Sequence, residues 1–420
     1  MSRLDELIQE RCPDGVEYKT LSEVFDTRNG YTPSKKEKNF WENGTIPWFR
    51  MEDIRENGGI LDKATQYVSQ EAVKGSPFPA NSIIVATSAT IGEHALITVP
   101  SIANQRFTYL IIKEQYKDDY DPKFLYYYCF KLDEYCKECL NQGNFASVDM
   151  KKFAKFQFPR LPIEIQHEIV RILDNFTELT AELTAELTAR QKQYEFYRDK
   201  LLTFDVLKGG TIDFYQRTLG ELFDFRNGLS KGKEFFGKGT PFIRYTDVYN
   251  HRTLRKKDIT ALVECTEDEK ERLKVSRGDV LFTRTSETAE DIGWSSVMLD
   301  DMDDCVFNGF TIRATPKTKE LLPEYCAYCF STVDFRQYVT KHCAFTTRAS
   351  LTGNTIAQYR MTIPPLDVQN RIVTVLDNFE KICSDLNIGL PAEIEARQKQ
   401  YEYYRDKLLS FKEHKNELSD

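Results

Sequence analysis

Arginine, asparagine and hydroxyl side chains recur at matching places in the two halves of this 420-residue chain. Each half has an Arg-Asn-Gly turn, starting at Arg28 and at Arg226, followed by a loop with Lys35 and Lys36 or with Lys231 and Lys233. Each has an aromatic residue, an arginine and an acid in step: Trp48, Arg50 and Asp53, then Phe242, Arg244 and Asp247. Each has a Thr-Ser pair, Thr87-Ser88 and Thr285-Ser286, the second preceded by Arg284. Asn104-Gln105-Arg106 is answered by Asn308-Gly309. Late polar loops follow, NQGNFAS with Asn144 and AFTTRAS with Thr346, Thr347 and Arg348. Arginine, asparagine and glutamine make bidentate hydrogen bonds with guanine and adenine edges, while serine, threonine and lysine suit phosphates. These residues are the candidate DNA contacts. Turn chemistry preserved by a duplicated fold explains Asn29-Gly30 and Asn227-Gly228 at least as well. Arg50, Arg244, Arg284 and the loop around Arg348 point more to DNA.

Motifs for catalysis are missing. There is no phosphate-binding G-x-x-x-x-G-K-[ST] loop, no G-x-G-x-x-G, no H-E-x-x-H and no N-P-P-[FY] or D-P-P-Y. Pro13-Asp14 with Glu17-Tyr18-Lys19 imitates a nuclease metal site, but the acids are too close in sequence and the second half lacks them. The five histidines are scattered. Cys136/Cys139 and Cys326/Cys329 have the spacing of a split zinc site, yet both sit in Tyr- and Leu-rich stretches that read as helical core. The repeat pairs YYYCF (126–130) with CAYCF (326–330), matching Cys129 to Cys329 and leaving the two pairs out of register. No catalytic residue, metal or cofactor is expected in this chain.

Length suggests two or three domains. With 41% hydrophobic and 29% charged residues the composition is that of an ordinary soluble protein. No stretch reaches the roughly 20 apolar residues of a membrane span, and the N-terminus lacks a signal-peptide core. A cytoplasmic protein with reduced cysteines is expected. The net charge of −8 argues against simple coating of nucleic acid, but it is unevenly placed. Residues 1–161 hold 21 basic against 23 acidic side chains, and 205–364 hold 23 against 23. Residues 162–204 hold 5 against 8, and 365–420 hold 8 against 11. Near-neutral globules are joined by acidic segments.

Those segments expose a tandem duplication. LTARQKQYEFYRDKLLTF returns as EARQKQYEYYRDKLLSF, LPIEIQHEIVRILDNF as PPLDVQNRIVTVLDNF, and KTLSEVFDTRNG as RTLGELFDFRNG, all in the same order. The globular parts read as mixed α/β. Strands are expected at SIIVATS (82–88), FTYLIIK (107–113), DVLFTRT (279–285) and GFTIRAT (309–315), with Tyr-rich amphipathic helices such as 122–140 late in each unit. After Leu161-Pro162 a heptad seam runs through Leu179 and Leu183, takes an extra step of four to Leu187, and resumes through Arg190, Tyr194, Tyr197 and Leu201. The extra step is one repeat of the word TAEL. An unbroken helix over 162–204 would be roughly 64 Å long. The second copy contains Tyr401, Tyr404 and Leu408, but Gly389-Leu390-Pro391 should break it, with Pro391 starting a new segment. The two long helices are expected to pack as an antiparallel coiled coil. The expected divisions are 1–161, 162–204, 205–364, 365–411 and a tail, 412–420.

The doubled TAEL word, the repeated LDNF and RQKQYE[FY]YRDKLL[TS]F elements and the TLxE(V/L)FDxRNG openings resemble the specificity subunit of type I restriction–modification enzymes, in the branch called type IC. The resemblance covers nearly the whole chain. It implies a non-catalytic subunit with two target recognition domains, each reading half of a split, asymmetric site in double-stranded DNA. It implies helices that set the gap and dock two modification subunits, which use S-adenosylmethionine to methylate adenine. Two further restriction subunits would need ATP and Mg for translocation and cleavage. The docking positions would be Leu179, Leu183, Leu187, Tyr194, Tyr197, Leu201, Tyr401, Tyr404 and Leu408. Residues 2–18 would pack beside the end of the C-terminal helix. The alternatives are a duplicated protein-binding adaptor without DNA readout and, more weakly, a stand-alone nuclease.

Overall fold

The computed structural model describes residues 3–141, 146–203, 215–384 and 389–414. Its contacts divide into two compact units, Met1–Glu182 with Glu395–Asp420, and Leu183–Ile394. The division falls inside the TAEL run.

The first unit is built on a five-stranded sheet in the order Phe25–Asn29, Phe107–Ile112, Ser82–Ala86, His94–Ile97 and Ile60–Leu61. Beside it lies a three-stranded sheet of Tyr67–Val68, Ile46–Phe49 and Ile102–Ala103. The second unit repeats both. Its five strands are Phe223–Asn227, Thr311–Pro316, Val280–Thr283, Ser295–Met298 and Thr253–Leu254; its three are Ala261–Val263, Phe236–Ile243 and Val306–Phe307. The expected β-branched runs are the central strands. Ser82–Ala86 and Val280–Thr283 are buried along their whole length, so they read as nearly continuous apolar stretches. The second unit adds a small sheet, Thr285–Ser286, Ala349–Ser350 and Ala344–Phe345. Its late Tyr-rich helix is also divided, into Pro323–Cys329 and Val333–His342, where the first unit has one helix, Pro122–Glu138.

A buried glutamine anchors each long helix to its globule. Gln166 donates to the carbonyls of Asp119 and Leu161, both at 2.7 Å, and accepts from the Asp121 amide at 2.9 Å. Gln369 donates to Glu320 O at 2.7 Å and Pro364 O at 2.9 Å, and accepts from the Leu322 amide at 2.9 Å. Nearby, the Tyr127 hydroxyl donates to Asp174, and that of Tyr328 to Asp377. These matches correct the sequence alignment by one residue. Asp121 answers Leu322 and Tyr127 answers Tyr328, so Phe330, and not Cys329, takes the place of Cys129. Replacing Gln369 by Leu would strand a buried amide and two carbonyls. We expect a loss of about 2–4 kcal/mol of stability, read by urea unfolding, since each buried unmade hydrogen bond costs about 1–3 kcal/mol.

The cysteines of the C-x-x-C pairs are core residues. Burial pushes Cys136 and Cys329 up to about 12 and Cys326 well above the usual thiol range, the opposite of what thiolate ligation requires.

The central helix, Ile163–Thr203, runs 41 residues through both TAEL words, about 60 Å of helix. The C-terminal element is two helices, Leu366–Ser384 and Leu390–Leu408, with Pro391 in the first turn of the second, where the sequence placed the break. In the second unit Tyr194 and Tyr197 pack on Phe379, with ring centroids 6.5 and 6.3 Å away. Leu202 shares a core with Ile372, Val373 and Leu376. As one segment ascends the other descends, so the pair is antiparallel. The same contact recurs in the first unit, where Phe176 stacks on Tyr404 at 5.5 Å. The deeply buried leucines are Leu202 and Leu409, each one residue beyond the expected Leu201 and Leu408, because they close into a globular core rather than a helix–helix seam. Leu179 is exposed, Leu183 and Leu187 are half-buried, and Leu201, Tyr401 and Leu408 lie at core edges. No described helix is long and apolar enough to cross a membrane.

As expected, the N-terminal segment packs beside the chain's far end. Val16 donates to Lys412 O at 2.9 Å and accepts from the His414 amide at 3.0 Å. Gly15 permits this approach: at φ +109° a Cβ there would lie 2.8 Å from Lys412 O.

Candidate nucleic-acid interface

The recurring motifs, scattered along the sequence, are gathered in space by backbone hydrogen bonds. In the first unit Tyr31 N donates to Ala103 O at 2.7 Å and Asn104 N to Phe49 O at 3.0 Å, joining the Arg-Asn-Gly turn, the Asn104 loop and the strand end before Arg50. Thr87 N donates to Arg106 O at 3.0 Å, and Val148 N to Thr87 O at 2.9 Å, adding the Thr-Ser pair and the late polar loop. The second unit has the same ladder. Leu229 N donates to Phe307 O, Asn308 N to Ile243 O, Arg284 N to Phe310 O, and Leu351 N to Arg284 O, all at 2.8–3.0 Å. Five segments therefore meet at one end of each fold.

The ladder also shifts the Thr-Ser match by one residue. Arg284 stands where Thr87 stands, and Thr285 pairs with Ser350 as Ser88 does with Ser147. The shift puts an arginine, half-buried and with no side-chain partner among the described residues, in the middle of the second cluster.

The turn glycines have a definite cause. A Cβ on Gly30 would lie 2.2 Å from Asn104 O, and one on Gly228 would lie 2.1 Å from Asn308 O. Both contacts are with backbone, which cannot swing aside. Gly228→Ala should separate the turn from the Asn308 loop, costing about 1–3 kcal/mol by the usual measure of overpacking and weakening DNA binding. Thermal unfolding and a binding titration check the two effects separately.

Individual candidates divide by what holds them. Arg28, Lys35, Lys36, Arg106 and Lys233 are exposed, and no described residue pairs with their side-chain charges. Gln105 is exposed and accepts from Thr32 at 2.5 Å. Arg50 has no ion pair closer than Glu52 at 4.0 Å, and its guanidinium lies 5.6 Å from the Trp48 ring centre. Trp48 itself is buried, at 4% exposure, and its indole donates to Tyr31 O, so its ring backs Arg50 from within the core. Arg244 is tied to the buried Asp247 by contacts of 2.7–3.2 Å. Lys231 is engaged by Glu264 O at 2.7 Å and Glu269 at 2.6 Å. Arg226 donates to Arg272 O. Asn104 and Asn308 use their side-chain oxygens to hold their own turns, through the amides of Arg106 and Phe310. Thr87 shares a hydrogen bond with Thr108, and Ser286 accepts from the Thr288 amide. Thr346, Thr347 and Arg348 are exposed, Arg348 lying 3.9 Å from Glu287. Asn144 lies outside the described residues.

Sequence reasoning missed an aromatic group in the second unit. Tyr245, Tyr249 and Phe310 line a cleft of about 400 Å³ with Thr285, Ser286, Glu287, Asp291 and Arg348. Tyr245 and Tyr249 are stacked, with centroids 6.0 Å apart, and Trp294 meets Tyr249 edge-on at 6.2 Å.

A duplicated α/β domain that gathers arginine, amide and hydroxyl groups at one end of each copy is a recognition module used twice. The family model for the type I restriction modification DNA specificity domain matches residues 13–190 and 212–396, and the chain belongs to that family, carrying its domain in duplicate. The type I restriction enzyme EcoprrI specificity subunit of Escherichia coli is 55% identical over 242 residues, 54% of this chain and 59% of that one. The EcoR124I/EcoR124II specificity subunit of Escherichia coli is 32% identical over 302 residues, 69% of this chain and 70% of the relative. Among solved structures, a chain described under complex assembly and conformational transition of the type I R-M system superposes with a TM-score of 0.66 at 17% identity, covering 94% of this chain and 98% of that one. The HsdS subunit from Thermoanaerobacter tengcongensis gives 0.53 at 16% identity, covering 94% and 96%. These two likenesses concern the fold.

Proposed function

We propose that this chain, as a TAEL-bearing, type IC-like specificity subunit, directs a cytoplasmic restriction–modification complex to a split site in double-stranded DNA. Each globular domain reads one half. The helices fix the gap and dock two modification subunits, which bring S-adenosylmethionine and methylate an adenine in each half. Two restriction subunits add ATP- and Mg-dependent translocation and cleavage. The chain contributes recognition and no chemistry of its own. Basic surface on the modification subunits would offset the charge of −8.

The observation that carries this reading is the double convergence: the same five segments meet by the same backbone bonds in both units. The side chains they present differ, as two unlike half-sites require. A protein-binding adaptor would have no need to present arginines without partners on such loops. The test is selection from a randomised duplex library by the chain complexed with a modification subunit. Enrichment of two unlike motifs at constant separation supports the proposal. Enrichment of one uninterrupted motif, or of none, overturns it.

A further inference from the structure

The two units match so closely in backbone that their differences can be compared place by place. Ala86 N donates to Glu93 O as Thr283 N donates to Trp294 O, both at 2.8 Å, so Trp294 occupies the place of Glu93. The helices Met51–Asn57 and Tyr245–Asn250 each start just after their capping arginine, so Tyr249 occupies the place of Arg55. Arg106 and Phe310 follow the same asparagine turn, each amide bonded to the asparagine side chain. The first unit thus carries an Arg55–Glu93 ion pair at 3.6 Å and an exposed Arg106. The second carries a Tyr249–Trp294 aromatic contact and a Phe310 that is 57% exposed.

An exposed phenylalanine at the tip of a tight turn loses apolar contact unless something covers it. Its turn is fixed on three sides: Phe310 N on Asn308 Oδ1 at 2.7 Å, Gly309 N on Leu229 O at 2.7 Å, and Phe310 O on Arg284 N at 2.8 Å. The ring is therefore presented by a rigid support, two residues after Asn308 in the same turn, with its backbone carbonyl accepting from the Arg284 amide. It continues the recognition cluster and lines one cleft with Tyr245 and Tyr249. Apolar side chains distinguish bases through the thymine C5-methyl group, which no other base shows in the major groove.

Resting on the DNA-reading proposal above, we infer that Phe310 is a specificity-determining residue of the second domain, and that it packs against a thymine methyl in the second half-site. The corresponding residue of the first domain, Arg106, acts instead through charge. The two halves of the site are read by different physics at the same fold position.

The test uses the full chain with its modification subunit and duplexes carrying the selected site, each thymine of the second half replaced singly by uracil. The wild-type complex should lose about four-fold in affinity at one thymine, the value of one buried methyl group at ~0.8 kcal/mol. Phe310→Ala should bind about ten-fold more weakly and be indifferent to that replacement, with an unchanged salt dependence. Phe310→Leu should recover part of the affinity. Arg106→Ala should flatten the salt slope by about one. Equal uracil sensitivity in wild type and Phe310→Ala overturns the inference, as does a flatter salt slope for Phe310→Ala. A rise in 2-aminopurine fluorescence marking an unstacked base step would also overturn it, in favour of a wedge. If the wild-type complex selects no site, the functional proposal falls and this inference with it; if it selects a site that Phe310→Ala binds normally, only this inference falls.

Discussion

A chain with a third TAEL word inserted after Leu187 should select the same two half-sites with a gap one or two base pairs wider. The physical basis is the continuity of Ile163–Thr203 through both existing words. Four residues add about 6 Å of helix and about 40° of rotation between the two flanking segments. One base pair advances B-DNA by about 3.4 Å, and readers of one groove face are spaced by roughly a 34 Å turn. The insertion point is expected to tolerate the change. The Thr188 hydroxyl bonds backward along its own helix, to Thr184 O. Leu183 and Leu187 are half-buried, and the compact units divide at Glu182 and Leu183. Activity on the original spacing should fall by a hundred-fold or more, because a 40° misorientation removes the contacts of one domain, about 3 kcal/mol if only one or two bidentate contacts are lost. Selection of altered half-sites at an unchanged gap would refute the ruler.

Arg284→Ala should reduce affinity for the cognate site by about ten- to a hundred-fold, the ~1–3 kcal/mol carried by a good bidentate base contact. The fold should be untouched, since the cluster is held by the Arg284 backbone, through Phe310 O and Leu351 N, and not by its guanidinium. Arg244 is a poorer probe. Its guanidinium balances Asp247, whose side chain is 4% exposed, so removing it leaves a buried carboxylate unpaired and mixes stability with recognition. Binding to unrelated DNA should change little with Arg284→Ala beyond the loss of one cation. An equal loss on specific and unrelated duplexes would show that Arg284 is a phosphate contact.

The duplication, the central strands and the helix break are legible in the sequence for identifiable reasons. Ser82–Ala86 and Val280–Thr283 are buried along their whole length and so are nearly continuous apolar runs, and Pro391 can stand only in a helix's first turn. Register is less legible. Matching residue types joins Thr87-Ser88 to Thr285-Ser286, whereas the backbone ladder places Arg284 opposite that first threonine. A one-residue slip leaves composition nearly unchanged but reverses which side chain faces the ligand. Exposure is least legible. Trp48, a candidate DNA contact by sequence, is core, while Phe310, in a run that reads as a strand, is more than half exposed. Nothing in either local sequence separates the two, because exposure depends on strands that arrive from distant segments. Lys231 likewise looks available in its local sequence, but Glu269 and the Glu264 carbonyl, some 35 residues away, hold it.

The most direct test is to map adenine methylation across the DNA of a host expressing this chain with a modification partner, as wild type and as Arg284→Ala. The account predicts two unlike half-motifs at a constant gap in wild type. In the variant, one position of a single half should be relaxed, with the other half and the gap preserved. Relaxation of both halves together, or a changed gap with both halves intact, would contradict it.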